Sequence, residues 1–155
     1  MSKLRVSDLN PLRDQHRREL ALRLGEAPSQ APGRRHLLIC GGTGCHAAGT
    51  AEVKSALLDA IAQQGLGDQV AVVETGCNGF CALGPVMVVY PEGTFYVSLE
   101  TADVEEIVAE HLKNGQPVER LFFKDPATKK RVPLMKDIPF FAHQKLVALK
   151  NQIGR

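Results

Sequence analysis

The four cysteines of this 155-residue chain all lie in two short, glycine-containing stretches. The first stretch reads CGGTGC, residues 40–45, and the second reads CNGFC, residues 77–81. Thiolates grouped in this way can bind a metal ion, hold an iron–sulfur cluster or exchange disulfides. In a reducing compartment cysteines stay as thiols unless they are catalytic or bind metal, so the even number does not by itself indicate disulfides.

Two of these chemistries fit the spacing poorly. A thioredoxin-type dithiol site needs two cysteines separated by two residues, whereas the separations here are four and three residues. A structural zinc site accepts four cysteines, but such sites usually stabilise small ribbons or fingers that need the metal to fold. This chain is 44% apolar and long enough to form a core without metal. A zinc-stabilised interaction domain with no redox role stays open as an alternative.

The first cysteine stretch is also similar to a nucleotide-binding loop. Gly42, Gly44 and Ala47 follow the pattern G-x-G-x-x-A between a predicted strand and a predicted helix. Glu74 ends the next strand, where a ribose-binding acid would stand. However, Glu74 lies 30 residues after Gly44, against about 20 in that fingerprint. This interpretation also leaves the four cysteines unexplained.

A [2Fe-2S] cluster accounts for both stretches, because its two irons together take four cysteine ligands. Two pairs separated by the 31 residues between Cys45 and Cys77 can supply them. His46 suggests a histidine-ligated cluster, but four cysteines already fill the ligand positions, so we predict that it is not a ligand. The glycines near the cysteines can adopt positive φ and bring backbone N–H groups close to sulfur; these are Gly41, Gly42, Gly44, Gly76 and Gly79.

The middle of the chain has the pattern of an α/β protein. Hydrophobic periodicity predicts strands over residues 36–39, 70–74, 85–90 and 94–99, and helices over residues 50–65 and 101–115. Thr50 is the predicted cap of the first of these helices, and Thr101 or Asp103 that of the second. The order is β-α-β-β-β-α, which predicts a two-layer sandwich of helices on a mixed sheet.

The two cysteine stretches follow the first and second predicted strands. If these strands are parallel neighbours joined by a right-handed helical crossover, both loops emerge at one edge of the sheet. The sequence therefore predicts that the four sulfurs converge on one point.

Charge divides the chain into three parts. Residues 1–35 carry a net charge of +4, residues 36–115 carry −8 and residues 116–155 carry +6. We interpret residues 1–35 as an N-terminal helix and linker, with Asn10 as the helix cap and Pro11 in its first position. Residues 36–115 are the predicted α/β domain.

Residues 116–155 are predicted to form an extended basic arm. The arm contains four of the six phenylalanines, namely Phe122, Phe123, Phe140 and Phe141, and a short helix could follow Pro139. These rings either pack back onto the domain or anchor a neighbouring domain or subunit. The basic arms would then dock an acidic neighbour.

Several function classes are not supported. The basic residues are not interleaved with stacking aromatics and match no nucleic-acid motif, so we predict no nucleic-acid binding. The longest apolar run, around residues 85–90, is far shorter than the ~20 residues of a membrane span, and residues 1–15 have no apolar signal segment. We expect a cytoplasmic protein.

The cysteine spacing on this framework resembles the thioredoxin-like [2Fe-2S] ferredoxin family. The resemblance rests on C-x4-C, 31 residues and C-x3-C within the order β-α-β-β-β-α. More narrowly, GTGCHAAG, TGCNGFCALGPVMVVYPEG, FYVSLETADVEEIVAEHL, and the later FF and IPFF resemble the N-terminal segment of a flavoprotein subunit. This is the NADH-binding (beta) subunit of NAD(P)-reducing or electron-bifurcating iron-only hydrogenases, which is related to the flavoprotein subunit of respiratory NADH dehydrogenase. The similarity covers about residues 36–155.

The resemblance implies a thioredoxin-like fold and an electron-transfer module, with four cluster ligands: Cys40, Cys45, Cys77 and Cys81. In that family the tail leads into a domain that holds FMN, the NAD(H) site and a [4Fe-4S] cluster. We expect these to belong to a downstream domain, so that residues 1–155 contain no complete catalytic site. The implied partners are a flavoprotein domain and hydrogenase or ferredoxin-type subunits of a redox complex. A free-standing dimeric thioredoxin-like ferredoxin is the alternative that shares the cluster.

Overall fold

A computed structural model of the protein describes residues 5–24 and 34–145. Its central feature is a four-stranded sheet in the order β2-β1-β3-β4, in which β1 and β2 are parallel and the other pairs are antiparallel. The predicted mixed sheet and the order β-α-β-β-β-α are confirmed. The α-helices and strands from the N-terminus through the helix that follows this sheet are α1 (Val6–Leu24), β1 (Arg35–Cys40), α2 (Thr43–Ala47), α3 (Thr50–Gln63), β2 (Val70–Thr75), β3 (Met87–Tyr90), β4 (Thr94–Tyr96) and α4 (Asp103–Glu106).

The remaining elements belong to the second half of the chain. Helix α4 continues as a π-helical stretch over Ile107–Lys113, so helical structure covers most of the predicted 101–115 range. A two-stranded sheet and a last short helix follow: β5 (Phe123–Lys124), β6 (Arg131–Val132) and α5 (Pro139–Ala142). The short helix expected after Pro139 is confirmed. None of the described helices is long and apolar enough to cross a membrane.

Strand β1 lies in the middle of the sheet because its residues are apolar on both faces. Leu37 and Ile39 face α3 and α4, where they pack with Val53, Leu57, Ile61, Val104 and Ile107. Leu38 and Cys40 face the opposite side and pack with Val86, Val88 and Phe95. Such a strand, buried on both faces, reads as a continuous hydrophobic run.

The arm covers the second face of the sheet. Phe123 and Ile138 are buried in the apolar cluster that contains Leu38 and Cys40. Phe122 points to the other cluster, where its ring stacks on Tyr96 at a centroid distance of 6.0 Å. Of the two expectations for the arm, the structure shows packing onto the domain. The last ten residues of the arm, 146–155, lie outside the described part of the chain.

The helix starts differ from the predictions. Helix α1 begins at Val6, with Pro11 inside it, because the Asp8 carboxylate accepts a hydrogen bond from the Arg5 N–H at 2.8 Å, as an acid in the first turn does in a capping box. Gly49, not Thr50, precedes α3. Ala102 precedes α4, while Asp103 accepts a hydrogen bond from the Glu100 N–H at 2.7 Å.

Further boundaries also differ from the sequence expectation. The CGGTGC stretch was predicted as a loop, but the short helix α2 begins within it at Thr43 and ends at Ala47. Strand β4 ends at Tyr96 and not at Leu99, since the Val97 N–H turns to the Leu121 carbonyl of the arm. Of the helix and linker expected over residues 1–35, residues 25–33 lie outside the described part of the chain, and Arg35 already belongs to β1.

Candidate metal centre

The parallel pairing of β1 and β2 brings the two cysteine stretches to one edge of the sheet. The register runs from Arg35 opposite Val70 to Cys40 opposite Thr75, so the two strands end side by side. Cys40 is the last residue of β1, and Cys77 follows two residues after the end of β2. The crossover between the two strands contains α3, as predicted.

The four thiols differ in exposure. Cys40 and Cys45 are buried, each with 1% of its surface exposed, and they belong to the apolar cluster on the arm side of the sheet. Cys77 and Cys81 lie in and after the following loop and are exposed. All four cysteines are free thiols. The centre therefore has a buried pair, which the core holds, and a surface pair.

The four thiols lie close to one another. The Sγ atoms of Cys77 and Cys81 are 3.7 Å apart. Cys40 is near enough to Cys45 and to Cys77 to affect the pKa of both thiols. The four thiols therefore meet at one edge of the sheet, as predicted, but among the described residues they do not surround a single point.

The geometry of the surface pair suits a tetrahedral metal. Two sulfurs bound to one metal at about 2.3 Å with tetrahedral angles lie about 3.8 Å apart, close to the 3.7 Å between Cys77 and Cys81. Within residues 5–24 and 34–145, no three His, Cys, Asp or Glu side chains surround a single point as ligands of one ion. The chain nevertheless offers four free thiols, a buried pair of Cys40 and Cys45 and a surface pair of Cys77 and Cys81, which is the donor set that a two-iron cluster takes.

Glycines near the thiols are required by close packing. A Cβ atom on Gly42 would lie 3.0 Å from the Cβ of Cys77, and one on Gly44 would lie 2.9 Å from the Cβ of Cys81. Helix α2 can thus approach the second cysteine stretch only with glycine at these positions. Of the five glycines able to adopt positive φ near the thiols, Gly79 does so, with φ of +82°, and the other four do not.

Gly84 was missed by the sequence reasoning. A Cβ atom there would lie 2.9 Å from the Sγ of Cys45 and 3.2 Å from its Cα. Gly84 follows Cys81 by three residues, at the end of the CNGFCALG run. The position of Gly84 soon after Cys81 could have indicated close packing against a cysteine. The sequence would have suggested a cysteine of the second stretch, whereas the contact is with Cys45 of the first.

Hydrogen bonds and burial change the acidity of the thiols in opposite directions. The Gly79 N–H donates a hydrogen bond to the Sγ of Cys77 at 3.3 Å and so lowers the pKa of that thiol. Burial, together with a hydrogen bond to Cys40, raises the pKa of Cys45 to about 11. The hydrogen bond with Cys77 raises the pKa of Cys81. Since only thiolates bind metal, cation binding here releases protons.

Glu74 and His46 form an ion-pair group beside the centre. The Glu74 carboxylate lies 2.7 Å from the Lys54 Nζ and 3.0 Å from the His46 Nε2. The hydrogen bonds from Lys54 and then from His46 lower the pKa of Glu74. The carboxylate that resembled a ribose-binding acid is therefore occupied by protein partners, and His46 contacts it and not a sulfur.

One buried donor in the second cysteine stretch lacks a protein acceptor. The side-chain Nδ2 of Asn78 is buried and has no hydrogen-bond partner among the described residues. Asn78 lies directly after Cys77, where a sulfur-rich group would offer acceptors. This orphaned donor and the two thiol pairs both fit an iron–sulfur cluster.

The mixed sheet, with helices on one face and two thiol pairs at one edge, defines the class of thioredoxin-like iron–sulfur proteins. The family described as "Thioredoxin-like [2Fe-2S] ferredoxin" matches residues 28–112. The chain belongs to this family, and it is a [2Fe-2S] electron-transfer protein.

Individual relatives agree with this membership. A "Ferredoxin, 2Fe-2S" from Clostridium pasteurianum is 40% identical over 77 residues, which are 50% of this chain and 76% of the relative. The crystal structure of the wild-type thioredoxin-like [2Fe-2S] ferredoxin from Aquifex aeolicus is 38% identical, with a TM-score of 0.53 over 57% of this chain and 94% of that one. An NAD⁺-reducing [NiFe]-hydrogenase is similar in fold, with 20% identity and a TM-score of 0.50 over 79% of this chain and 23% of that chain.

Proposed function

We propose that the chain is the electron-transfer module of an NAD(P)-linked hydrogenase or NADH dehydrogenase-type complex, with Cys40, Cys45, Cys77 and Cys81 as the cluster ligands. When bound, the [2Fe-2S] cluster takes up and releases single electrons. The protein's part is to hold the thiolates, to donate hydrogen bonds to them and to exclude water from the buried pair.

The position of the four free thiols at one edge of the sheet supports the ligand assignment. Cys40 and Cys45 come from a strand end and a helix that the core fixes, so they give the site a rigid base. Cys77 and Cys81 come from the surface. Electron exchange with a partner centre is most efficient over the shortest distance, so it proceeds through the edge that carries Cys77 and Cys81.

The similarity to the hydrogenase supports membership of a complex. That similarity extends over 79% of this chain, whereas the Aquifex ferredoxin covers 57%. The additional length agrees with the resemblance of the FF and IPFF segments to a flavoprotein subunit. Within this proposal, FMN, NAD(H) and a [4Fe-4S] cluster belong to a downstream flavoprotein domain, and the reducing cytoplasm keeps the thiols available for the cluster.

A free-standing ferredoxin is the second candidate. It is favoured by the similarity to the ferredoxin from Clostridium pasteurianum, because the match covers 76% of that protein's length. The packed arm is compatible with either candidate, because its rings cover the domain's own sheet. The two candidates share the cluster and its ligands and differ in the partners.

Replacement of each cysteine by alanine tests the ligand assignment. We expect the native protein to contain two irons and two sulfides per chain, and to give an EPR signal after reduction with dithionite. Each of the four variants should lose most of its iron and this signal, while His46→Ala should keep both. A colourless native protein with one zinc per chain would refute the assignment and support the zinc-stabilised alternative.

Isolation from the native cells tests membership of the complex. Deletion of residues 116–155 is unsuitable, because it would expose the sheet face that Phe123 and Ile138 cover. A tagged full-length chain should instead co-purify with a flavin-containing subunit in equal amounts, with NAD(P)H-dependent dye reduction in the same fraction. Recovery at the mass of one or two chains, without flavin, would support the free-standing ferredoxin.

A further inference from the structure

Phe80, in the loop between Cys77 and Cys81, is enclosed by aromatic rings. Its ring centroid lies between 5.1 and 5.5 Å from those of four other phenylalanines. One of these rings, Phe95, belongs to the sheet, and three belong to the arm: Phe123, Phe140 and Phe141. The arm therefore supplies most of the aromatic surroundings of the loop that carries the exposed thiols.

The ring of Phe140 also lies beside the backbone of this loop. Its Cζ atom lies 3.3 Å from the position of a Cβ atom on Gly79. Gly79 has φ of +82°, and its N–H donates the 3.3 Å hydrogen bond to the Cys77 Sγ. The ring of Phe140 thus packs against the residue whose amide contacts the sulfur.

The segment that carries Phe140 is anchored next to the other thiol pair. Ile138, two residues earlier, has 1% of its surface exposed and lies in the apolar cluster that contains Cys40 and Cys45. Phe141 stacks on Phe80 with an interplanar angle of 18°. Phe140 itself is 49% exposed, so it is not needed to fill the core.

We propose that Phe140 and Phe141 are positioning residues for the [2Fe-2S] cluster, which hold Phe80 and Gly79 so that the Cys77–Cys81 loop keeps its N–H···S hydrogen bond and resists opening. The proposal rests on the ligand assignment above. It assigns a role in the site to residues beyond the family match, which ends at residue 112.

The physical argument concerns the frequency of loop opening. Glycine has a large conformational entropy, and the Cys77–Cys81 loop contains Gly79 and an exposed thiol pair, so its order depends on the rings packed around Phe80. Aromatic contacts contribute roughly 0.5–1.5 kcal/mol beyond the buried area. Loss of the Phe140 ring should therefore make loop opening about fivefold more frequent. Each opening exposes the thiolates to water and chelators.

The test compares three variants of the full-length, cluster-containing protein. Phe140→Ala removes the ring on Gly79, Phe140→Leu keeps part of the contact, and Phe122→Leu is the control. Phe122 is an arm phenylalanine that stacks on Tyr96 in the other core cluster. The control weakens arm packing without touching the loop.

Three measurements are made on each variant without oxygen. They are the rate of iron loss to a chelator, the hydrogen exchange of a peptide covering residues 77–84, and the g values of the reduced cluster. Phe140→Ala should lose iron about fivefold faster, because the Cys77–Cys81 loop opens more often. It should also show faster hydrogen exchange and shifted g values. Phe140→Leu should be intermediate. Phe122→Leu should match the native protein in all three, even where its urea midpoint falls.

Two results would overturn the proposal. One is native behaviour of Phe140→Ala in all three measurements, and the other is an equal effect of Phe122→Leu, which would assign the change to overall stability. If the native protein binds no cluster, the ligand assignment fails separately. The exchange of residues 77–84 in Phe140→Ala then still decides whether the arm holds the loop.

Discussion

The hydroxyl of Thr50 donates a hydrogen bond to the backbone carbonyl oxygen of Cys40, with 3.2 Å between the two oxygens. Both residues are buried, with 0% and 1% of their surfaces exposed. The bond joins the last residue of β1 to the first residue of α3. The threonine predicted as a helix cap instead fixes the strand end that carries a thiol.

Removal of this hydroxyl should destabilise the protein. Thr50→Val keeps the shape of the side chain but leaves the Cys40 carbonyl without its donor, which costs about 1–3 kcal/mol for a buried polar group. The free energy of unfolding in urea measures this loss. Thr50→Ser retains the hydroxyl and should keep most of the stability. Equal stability of Thr50→Val and the native protein would show that this bond contributes nothing.

Introduction of a methyl group at Gly44 should impair the site. A Cβ atom there would lie 2.9 Å from the Cβ and 3.2 Å from the Sγ of Cys81, closer than packed atoms allow. We expect Gly44→Ala to lower the iron content per chain by half or more, as measured by iron and sulfide analysis. Gly44 lies in helix α2, where alanine is preferred over glycine by about 1 kcal/mol. Helix propensity alone would therefore predict that Gly44→Ala stabilises α2 and does not impair the site.

Gly67→Ala is the matched control for this substitution. A Cβ atom at Gly67 meets nothing within 4 Å, and Gly67 does not have positive φ. Its iron content should equal that of the native protein. If both variants kept all their iron, the close approach of α2 to Cys81 would not be a requirement of the site.

His111 should make the stability depend on pH in the mildly acidic range. Its Nδ1 atom forms a hydrogen bond with the Tyr96 hydroxyl at 2.8 Å, and this hydroxyl accepts one from the Val118 N–H at 3.0 Å. Its Nε2 atom is buried without a partner among the described residues. Burial, and next the charge of Arg35, lower the pKa of His111 to about 4, although Glu92 acts in the opposite direction.

The direction of this pH dependence follows from the number of protons that each state binds. Between about pH 6.5 and pH 4 the unfolded chain has protonated His111 and the folded chain does not, so acid favours unfolding. The stability present above pH 6.5 should fall by about 3 kcal/mol as the pH reaches 4. Urea unfolding at several pH values measures this slope. His111→Gln, which keeps a hydrogen-bonding group for Tyr96 but does not titrate, should flatten it, and an unchanged slope would contradict the assignment to His111.

Much of the fold could be predicted because it depends on local patterns. The apolar runs of β1 and β2, the helix between them and the C-x4-C and C-x3-C spacings are sufficient to place both cysteine stretches at one sheet edge. The cap of α3 was predicted wrongly because the Thr50 hydroxyl forms a bond to a residue ten positions away on β1 in place of a local cap. At α1 and α4 the bonds are local, but they fall on Asp8 and Asp103 three residues after the amide that they accept from.

The sequence by itself determined the cysteine pairs, their convergence and the family, because spacing and strand order are written along the chain. The tertiary structure decided which cysteine pair is buried. It also decided that residue 84 must be glycine, because Cys45 packs against it, and that the ring of Phe140 lies beside Gly79. These relationships join residues that are far apart in the chain. Periodicity shows which face a residue occupies, but only packing of the complete chain decides which distant side chain meets it there.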